Sequence, residues 1–409
     1  MLSILSFLLS AHAESPQTDI GYRVSIQSFA PNTSPWSIQQ SIRLKTRVTW
    51  DELYVQATFG DARVWGSEIT HVIGKDDLAN LYEGYIHIPL ANDTHSLQIG
   101  RQEFVLNNGR YLWTGAWNPY GRTLDGVVYN GQSGETTWQV SGFVWKNAAE
   151  YTEICAAEAV DCTDRTVESN GDFLTLANAE HQFNKVTIQP YVFYLSQDPT
   201  DSNLDQHRRV ISPGLRIFNK AKSPFFYDFE GTIQTGQASE TVRHFAWSAV
   251  AKLGVNISST QLAMYYEENS GDGDATDDVD NNFEGLIGKY HGLRGWADQV
   301  GGINSRDISL QVQQSINDEW QAHLQAHVFQ LSNPNGGWYG FNQKLVAMTA
   351  DGNTSNDLAK EIDAVLLQKP YPGLSIKYGY SVFLPDTVAT DLRSDEIMHF
   401  PYIWLVLDK

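Results

Sequence analysis

The sequence predicts an all-β fold, a transmembrane antiparallel up-and-down β-barrel of about eighteen strands. Three observations predict it. Segments of about ten residues alternate apolar and polar almost to the end of the chain. The connectors between them alternate between short and long. Aromatic residues are 12% of the chain, with 12 Trp and 19 Tyr, which suits girdles at two membrane interfaces. The same richness suits a carbohydrate-binding sandwich, so a soluble β-sandwich is the alternative. Sandwiches seldom line up so many strands with one consistently short-turned end. Hydrophobic content of 42% and a mean hydropathy of -0.34 exclude a helical membrane protein. After the N-terminus no apolar run reaches the roughly 18 residues a spanning helix needs.

Taken in order, the chain opens with MLSILSFLLSAHAES. Leu2 to Leu9 form an apolar stretch before Ala11-His12-Ala13, so residues 1–13 read as a secretion signal. The stretch lacks the usual initial Lys or Arg, and a buried N-terminal segment is the alternative. Residues 14–409 show no linker or shift of composition, so they read as one barrel domain. In ELYVQATF, Leu53, Val55, Ala57 and Phe59 share a face opposite Tyr54, Gln56 and Thr58. In TWQVSGFVW, Trp138, Val140, Gly142 and Val144 oppose Gln139, Ser141, Phe143 and Trp145. KVTIQPYVFY, DISLQVQQ, EWQAHLQAHVF and GLSIKYGYSVF repeat the pattern. The polar face is rich in Gln, His, Arg and Tyr, as a wet lumen requires.

Short connectors lie at 91–94, 183–185, 219–223, 315–318 and 369–373, and long ones at 105–120, 146–170, 268–305 and 332–356. Short periplasmic turns and long extracellular loops are the layout of a bacterial outer-membrane barrel. Cys155 and Cys162, the only cysteines, sit in a long connector. An exported chain meets an oxidising compartment, so a small loop disulfide is expected, with two free thiols as the alternative.

Residues 41–50 read SIRLKTRVTW. Ile42, Leu44, Thr46 and Val48 form one face, and Arg43, Lys45 and Arg47 the other. Arg or Lys facing lipid at mid-bilayer costs about 2–4 kcal/mol, so the cations are expected to face inward. The plainer reading is that they pair with lumen carboxylates and fill space. Candidate counter-charges are Asp228 with Glu230 and Glu361 with Asp363, each pair sharing a strand face. Paired carboxylates also occur in glycosidases, but here they read as holders of Arg rows. His323 and His327 would lie roughly 13 Å apart on a strand, too far for one ion, and read as lumen lining. The formal charge of -20 collects partly in EENSGDGDATDDVD (267–280). Asp272, Asp274, Asp277, Asp278 and Asp280 make this a candidate Ca²⁺ loop, but without EF-hand spacing a solvated acidic loop is favoured.

Several stretches resemble the alginate-export family of outer-membrane porins. They are SIRLKTRVTW with DARVWG (61–66), GRQEFVLNNGRYLW (100–113) with GRTLDGVVY (121–129), and YDFEGTIQTGQ (227–237) with AWSAVAKLGV (246–255). SGDGD (270–274), NNFEGLIGKYHGLRGWADQVGGIN (281–304) and KEIDAVLL (360–367) follow in the same order. The resemblance implies an eighteen-stranded barrel that passes an anionic polysaccharide or sugar acids through an Arg/Lys-lined constriction, with acidic residues holding the cations. On this sequence the constriction would comprise Arg43, Lys45, Arg47, Arg63, Arg101, Arg110, Arg122 and Arg216, with Asp61, Asp125, Asp228, Glu230, Glu361 and Asp363. Strict alternation puts Arg101 with Leu97 and Ile99 on the lipid face, so a bulge at Gly100 is expected to turn it inward. The family's barrels usually end in an aromatic residue; this sequence reads Leu407-Asp408-Lys409, with Tyr402 and Trp404 nearby.

The expected partners are an anionic polysaccharide or oligosaccharide, the lipopolysaccharide of the outer membrane, and periplasmic export partners. No cofactor beyond Ca²⁺ at the acidic loop and no nucleic acid are expected. A less selective anion or nutrient porin is the alternative function, ahead of an adhesin or a barrel enzyme. No Ser/His/Asp constellation falls on one strand face.

Overall fold

The computed structural model describes residues 17–29, 36–65, 80–90, 94–145, 172–197, 208–274, 276–349 and 352–408. The expected signal at 1–13 and both cysteines of the expected disulfide lie outside the described residues. Eighteen long strands run antiparallel in chain order. They are β1 (Gln17–Phe29), β2 (Ser37–Trp50), β3 (Leu53–Val64), β4 (Asn80–Leu90), β5 (His95–Gln102) and β6 (Leu124–Ser133). β7 (Thr136–Val144), β8 (Phe173–Phe183), β9 (Val186–Gln197), β10 (Arg208–Asn219), β11 (Phe225–Gln237) and β12 (Arg243–Ile257) follow. β13 (Thr260–Asn269), β14 (Ser305–Ser315), β15 (Trp320–Leu331), β16 (Asp357–Tyr371), β17 (Leu374–Pro385) and β18 (Met398–Asp408) complete the wall. β1 pairs with β18 from Arg23↔Asp408 to Phe29↔Tyr402, so the sheet closes and no strand edge faces lipid. Closure is what lets every wall backbone group find a partner away from water.

The alternation places side chains as expected. On β2, Ile42 and Leu44 are 39% and 48% exposed on the outside, while Arg43, between them, is 9% exposed inside. Val55 and Phe59 of β3, and Val140 and Val144 of β7, are likewise exposed outward. Asn184–Lys185 joins β8 to β9, and Pro372–Gly373 joins β16 to β17, so Lys369 and Pro370 belong to β16. Phe183, Phe225 and Tyr371 are exposed beside short turns, and Trp36, Trp65 and Trp247 near the opposite end. These are the two girdles.

Two long loops do not stand outside the barrel. Residues 103–123 and most of 281–304 fold into it. Trp113 N donates to Ile287 O at 3.0 Å, Ile287 N to Tyr111 O at 3.1 Å, and Lys289 N to Gly109 O at 2.9 Å. Apolar residues explain the inward fold. Leu106, Tyr111, Leu112 and Phe283 pack on Phe143, Leu174 and Phe193 of the inner wall. Ala297 and Val300 pack on Phe329, Leu358 and Phe383. Val388 of the short helix α1 (Thr387–Leu392), capped by Asp386, joins that cluster. Exposed to water outside, these residues would forfeit the favourable burial of their apolar surface. Tyr402 and Trp404 are buried inside as well, so the outer face of β18 carries Ile403 instead.

Candidate functional site

The narrowed lumen is the candidate site. Its first wall is β1 and β2. Directly opposed residues of an antiparallel pair share a face. Arg23 opposes Arg43, Gly21 opposes Lys45, and Asp19 opposes Arg47, so all four cations point inward. Arg43 Nη1 meets Glu103 Oε1 at 3.0 Å, and its guanidinium lies 3.7 Å from the Tyr82 ring centre. Arg47 donates from Nε and Nη2 to Gln56 Oε1 at 3.2 and 2.7 Å. Gln56 donates in turn to Glu83. Lys45 has no carboxylate within ion-pair distance among the described residues.

The facing wall is β10 to β15. Arg216 holds Asp228 with two parallel hydrogen bonds, 2.8 and 2.7 Å, and donates to Gln189. Lys252 Nζ donates to Gln311 Oε1 at 2.8 Å. A polar cavity of about 310 Å³ lies here, lined by Arg216, Asp228, Lys252, Lys289, Gln311 and His323 among others.

The loops are pinned by buried charge. Arg110 Nε meets Glu230 Oε2 at 2.8 Å, and Arg110 Nη1 meets Glu267 Oε2 at 3.0 Å. Burial works against the Arg110 charge, but Tyr265 and the two carboxylates outweigh it and hold its pKa well above the usual value. Arg294 Nη2 meets the other oxygen of Glu267 at 2.8 Å, and Nη1 donates to Ser305. Glu361 Oε1 accepts from the backbone of Trp296 at 2.7 Å and Ala297 at 2.9 Å. Gly295 adopts φ +76 beside that carboxylate, where any Cβ would collide with it. His327 lies between Asp307, 2.9 Å away, and Asp363, 3.7 Å away.

Of the residues expected in the constriction, the structure places Arg43, Lys45, Arg47, Arg110, Arg122, Arg216, Asp228, Glu230, Glu361 and Asp363 on the inner side of the wall or in the inward loops. Arg122 sits in the inner loop, 3.4 Å from Ile287 O, and burial lowers its pKa. Four expectations are corrected. Arg101 pairs with Gly84 and Asp125 in unbroken register, so no bulge turns it. It shares the outer face of Ile99 and Val127, where it binds Asp125 at 2.7 and 2.9 Å. The bidentate pair removes the net charge that made an outward Arg costly. Gly100 does adopt φ +132, and a Cβ there would strike the backbone of Gly84. Its backbone is unusual, but the register does not change. Asp61 opposes outward Ile42, and Arg63 bonds Asp61 at 2.9 Å on that same outer face.

The acidic loop turns on itself rather than gathering. Asp272, Asp274 and Asp277 accept from backbone groups two residues on. Asp278 is exposed, and Asp280 binds His244 at 3.0 Å and Arg208 at 3.5 Å. Among the described residues no three His, Cys, Asp or Glu side chains are placed to hold one metal ion. The sequence reading missed Arg23, Glu103, Lys252, Glu267, Lys289, Arg294, Asp307 and Lys377. Arg23 was within reach, since Tyr22, Val24 and Ile26 alternate with it. The loop residues had one signal, Phe283, Leu286, Tyr290 and Val300 in a segment expected to face water.

A closed barrel of this size, apolar outside and charged inside, with loops narrowing its lumen, is an outer-membrane channel. The chain belongs to the alginate export family, whose model matches residues 43–394. Its fold is similar to that of Pseudomonas aeruginosa OccK3 (OpdO), with TM-score 0.61 and 12% identity, covering 96% of each chain. It is similar also to Pseudomonas aeruginosa OpdK with vanillate, with TM-score 0.63 and 11% identity over 96% of this chain and 98% of that one. OccK2 (OpdF) of the same organism, in complex with glucuronate, gives TM-score 0.59 and 12% identity over 96% of each chain. At such identities the likeness concerns the fold. A comparison with curated proteins finds no match.

Proposed function

We propose that this channel passes anionic saccharides, either an alginate-like polyuronate or its sugar acids. One observation carries the reading: four lumen lysines stand apart from any ion pair among the described residues. Lys45, Lys252, Lys289 and Lys377 face the lumen with no carboxylate in ion-pair distance among the described residues. Low-dielectric walls focus such a field and concentrate anions in the pore. Arg suits a uronate carboxylate, which it can meet with two parallel hydrogen bonds. The paired Arg residues temper the field, since a pore too sticky for its solute does not conduct. The reading includes no catalysis. Glu230 and Glu361 hold loops and Asp228 holds Arg216, so these carboxylates serve to fix the fold. Uptake of small sugar acids is the second reading. The inward loops favour it by narrowing the lumen, and glucuronate and vanillate in the similar barrels are both carboxylates.

Planar-bilayer recordings of the purified protein test the proposal. The reversal potential in a salt gradient should report anion preference, and a uronate oligosaccharide should block the current. Lys45→Glu with Arg47→Glu should lower the anion preference, while Arg101→Glu on the outer face should not. Cation preference in the unaltered protein sinks the proposal.

A further inference from the structure

We propose that Trp113, Trp296, Trp404, Lys289 and Lys377 form a subsite for one hexuronate residue, a stopping place within the path rather than part of its general field. The inference rests on the channel reading above. Three elements converge to build it. Loop 103–123 brings Trp113, loop 270–304 brings Lys289 and Trp296, and the wall brings Lys377 on β17 with Trp404 opposite it on β18. Lys377 Nζ lies 4.4 Å from the Trp404 ring centre and 5.2 Å from that of Trp296. Lys289 Nζ lies 5.6 Å from the Trp113 ring centre.

The rings are held in place. Trp404 Nε1 donates to Ser25 Oγ at 2.7 Å. Trp117 is the buried hub, edge-on to Trp296 and Trp404 and stacked 3.6 Å from His291. Its own Nε1 donates to Asp298 at 3.1 Å. Trp113, Trp296, Lys289 and Lys377 are only half-buried, so the cluster presents a face to the lumen. Two polar atoms of the cluster, Trp296 Nε1 and the Tyr402 hydroxyl, have no protein hydrogen-bond partner.

The electrostatics asks for an anion. Lys377 feels the like charges of Lys289 and Arg23, and among the described residues no carboxylate lies in ion-pair distance of either lysine. Burial lowers the pKa of Lys289. Indole faces soften this cost through cation–π contact, without supplying a negative charge. A hexuronate matches both halves of the site. One face of its pyranose ring is a sheet of C–H groups that can lie on an indole, and its carboxylate can take hydrogen bonds from an ammonium. A neutral hexose meets only the rings, and acetate meets only the lysines.

Single-channel recording on the full-length protein tests the assignment, with a tetramannuronate, maltotetraose and acetate as probes. The unaltered channel should show discrete blocking events with tetramannuronate, brief ones with maltotetraose and none with acetate. Lys289→Gln and Lys377→Gln should each shorten the tetramannuronate residence time about tenfold, which is about 1.4 kcal/mol, and leave maltotetraose unchanged. Trp113→Leu should shorten both. Heat-modifiable migration on gels confirms that each variant folds. Lys45→Gln is the comparison that separates a site from a field. It should lower anion preference and keep the residence time. If it shortens residence as much as the other two lysine variants, the general field holds the sugar and the subsite is wrong, while the channel proposal stands. If maltotetraose blocks as long as tetramannuronate, the carboxylate has no role and the subsite is again wrong. A channel that prefers cations and is blocked by no probe overturns the channel proposal as well.

Discussion

An arginine on the outside of a membrane barrel is tolerable when its partner sits directly across the strand. Arg101 and Asp125 occupy opposed positions on β5 and β6, and their two hydrogen bonds make a neutral unit. Removing one member takes away both of these hydrogen bonds beside Ile99 and Val127. Arg101→Leu should therefore destabilise the barrel by about 1.5–3 kcal/mol, the scale of a hydrogen bond to a charged group. Arg101→Leu with Asp125→Leu should recover most of that loss, because replacing both partners by apolar groups is nearly neutral. Urea unfolding of the protein in lipid vesicles reads the difference, and equal losses in the single and double variants would refute the pairing argument. The same pair shows what one strand can reveal. Alternation placed Arg101 outward correctly, as it placed Arg43 inward. The expected bulge was an inference from the cost of a lone charge. Asp125 lies 24 residues away, and only the register shows that the charge is not alone.

At the scale of elements, the unexpected feature is the inward stretch 281–304 of the loop before β14. Length and Gly content marked it as a loop, and nothing periodic in it stated which way it would fold. Its direction follows from contacts with distant strands, among them Glu361 on β16. That carboxylate receives two backbone N–H groups next to Gly295, the arrangement of an anion nest turned to structural use. Glu361→Ala should release this stretch without unfolding the wall, raising the mean conductance and its noise and speeding amide exchange at Trp296 and Ala297. Unchanged conductance and exchange would show that the apolar contacts of Val300 and Ala297 suffice. The outer part of the loop carries a pH dependence. Burial works against the charge of Asp280, and His244 and Arg208 overcome it, holding the carboxyl below its ordinary range. A carboxyl with a lowered folded pKa contributes stability above its unfolded pKa, about 3.9, and loses it as pH falls through the folded value. Acidification below about pH 4 should therefore loosen the Val279–Asp280 pairing along β12. Asp280→Asn should show that looseness already at neutral pH, read as amide exchange at Arg243 and His244; exchange that is flat across this range in the unaltered protein would sink the idea.

At the scale of the molecule, a chain of net charge -20 sorts part of its charge by place. Cations line β1, β2, β10, β12 and β17 on the inside. Acidic side chains collect at exposed Asp274, Asp277 and Asp278 and in pairs that hold arginines. The sorting depends on which barrel end faces the cell exterior, and that orientation makes a test. Proteases cut exposed, partly mobile chain and spare buried backbone. Most of 281–304 is buried in the lumen, while Asp274 and Thr276 to Asp278 are exposed. Added to intact cells, a protease that cleaves at acidic residues should cut near Asp274 to Asp278. It should leave 281–304 intact until Glu361→Ala frees it. The two-residue turns at 184–185 and 372–373 should stay uncut in intact cells and become accessible only when the protease reaches the periplasm. Cleavage of intact cells at those turns, with 274–278 spared, would reverse the orientation and place the acidic turn on the periplasmic side of the pore.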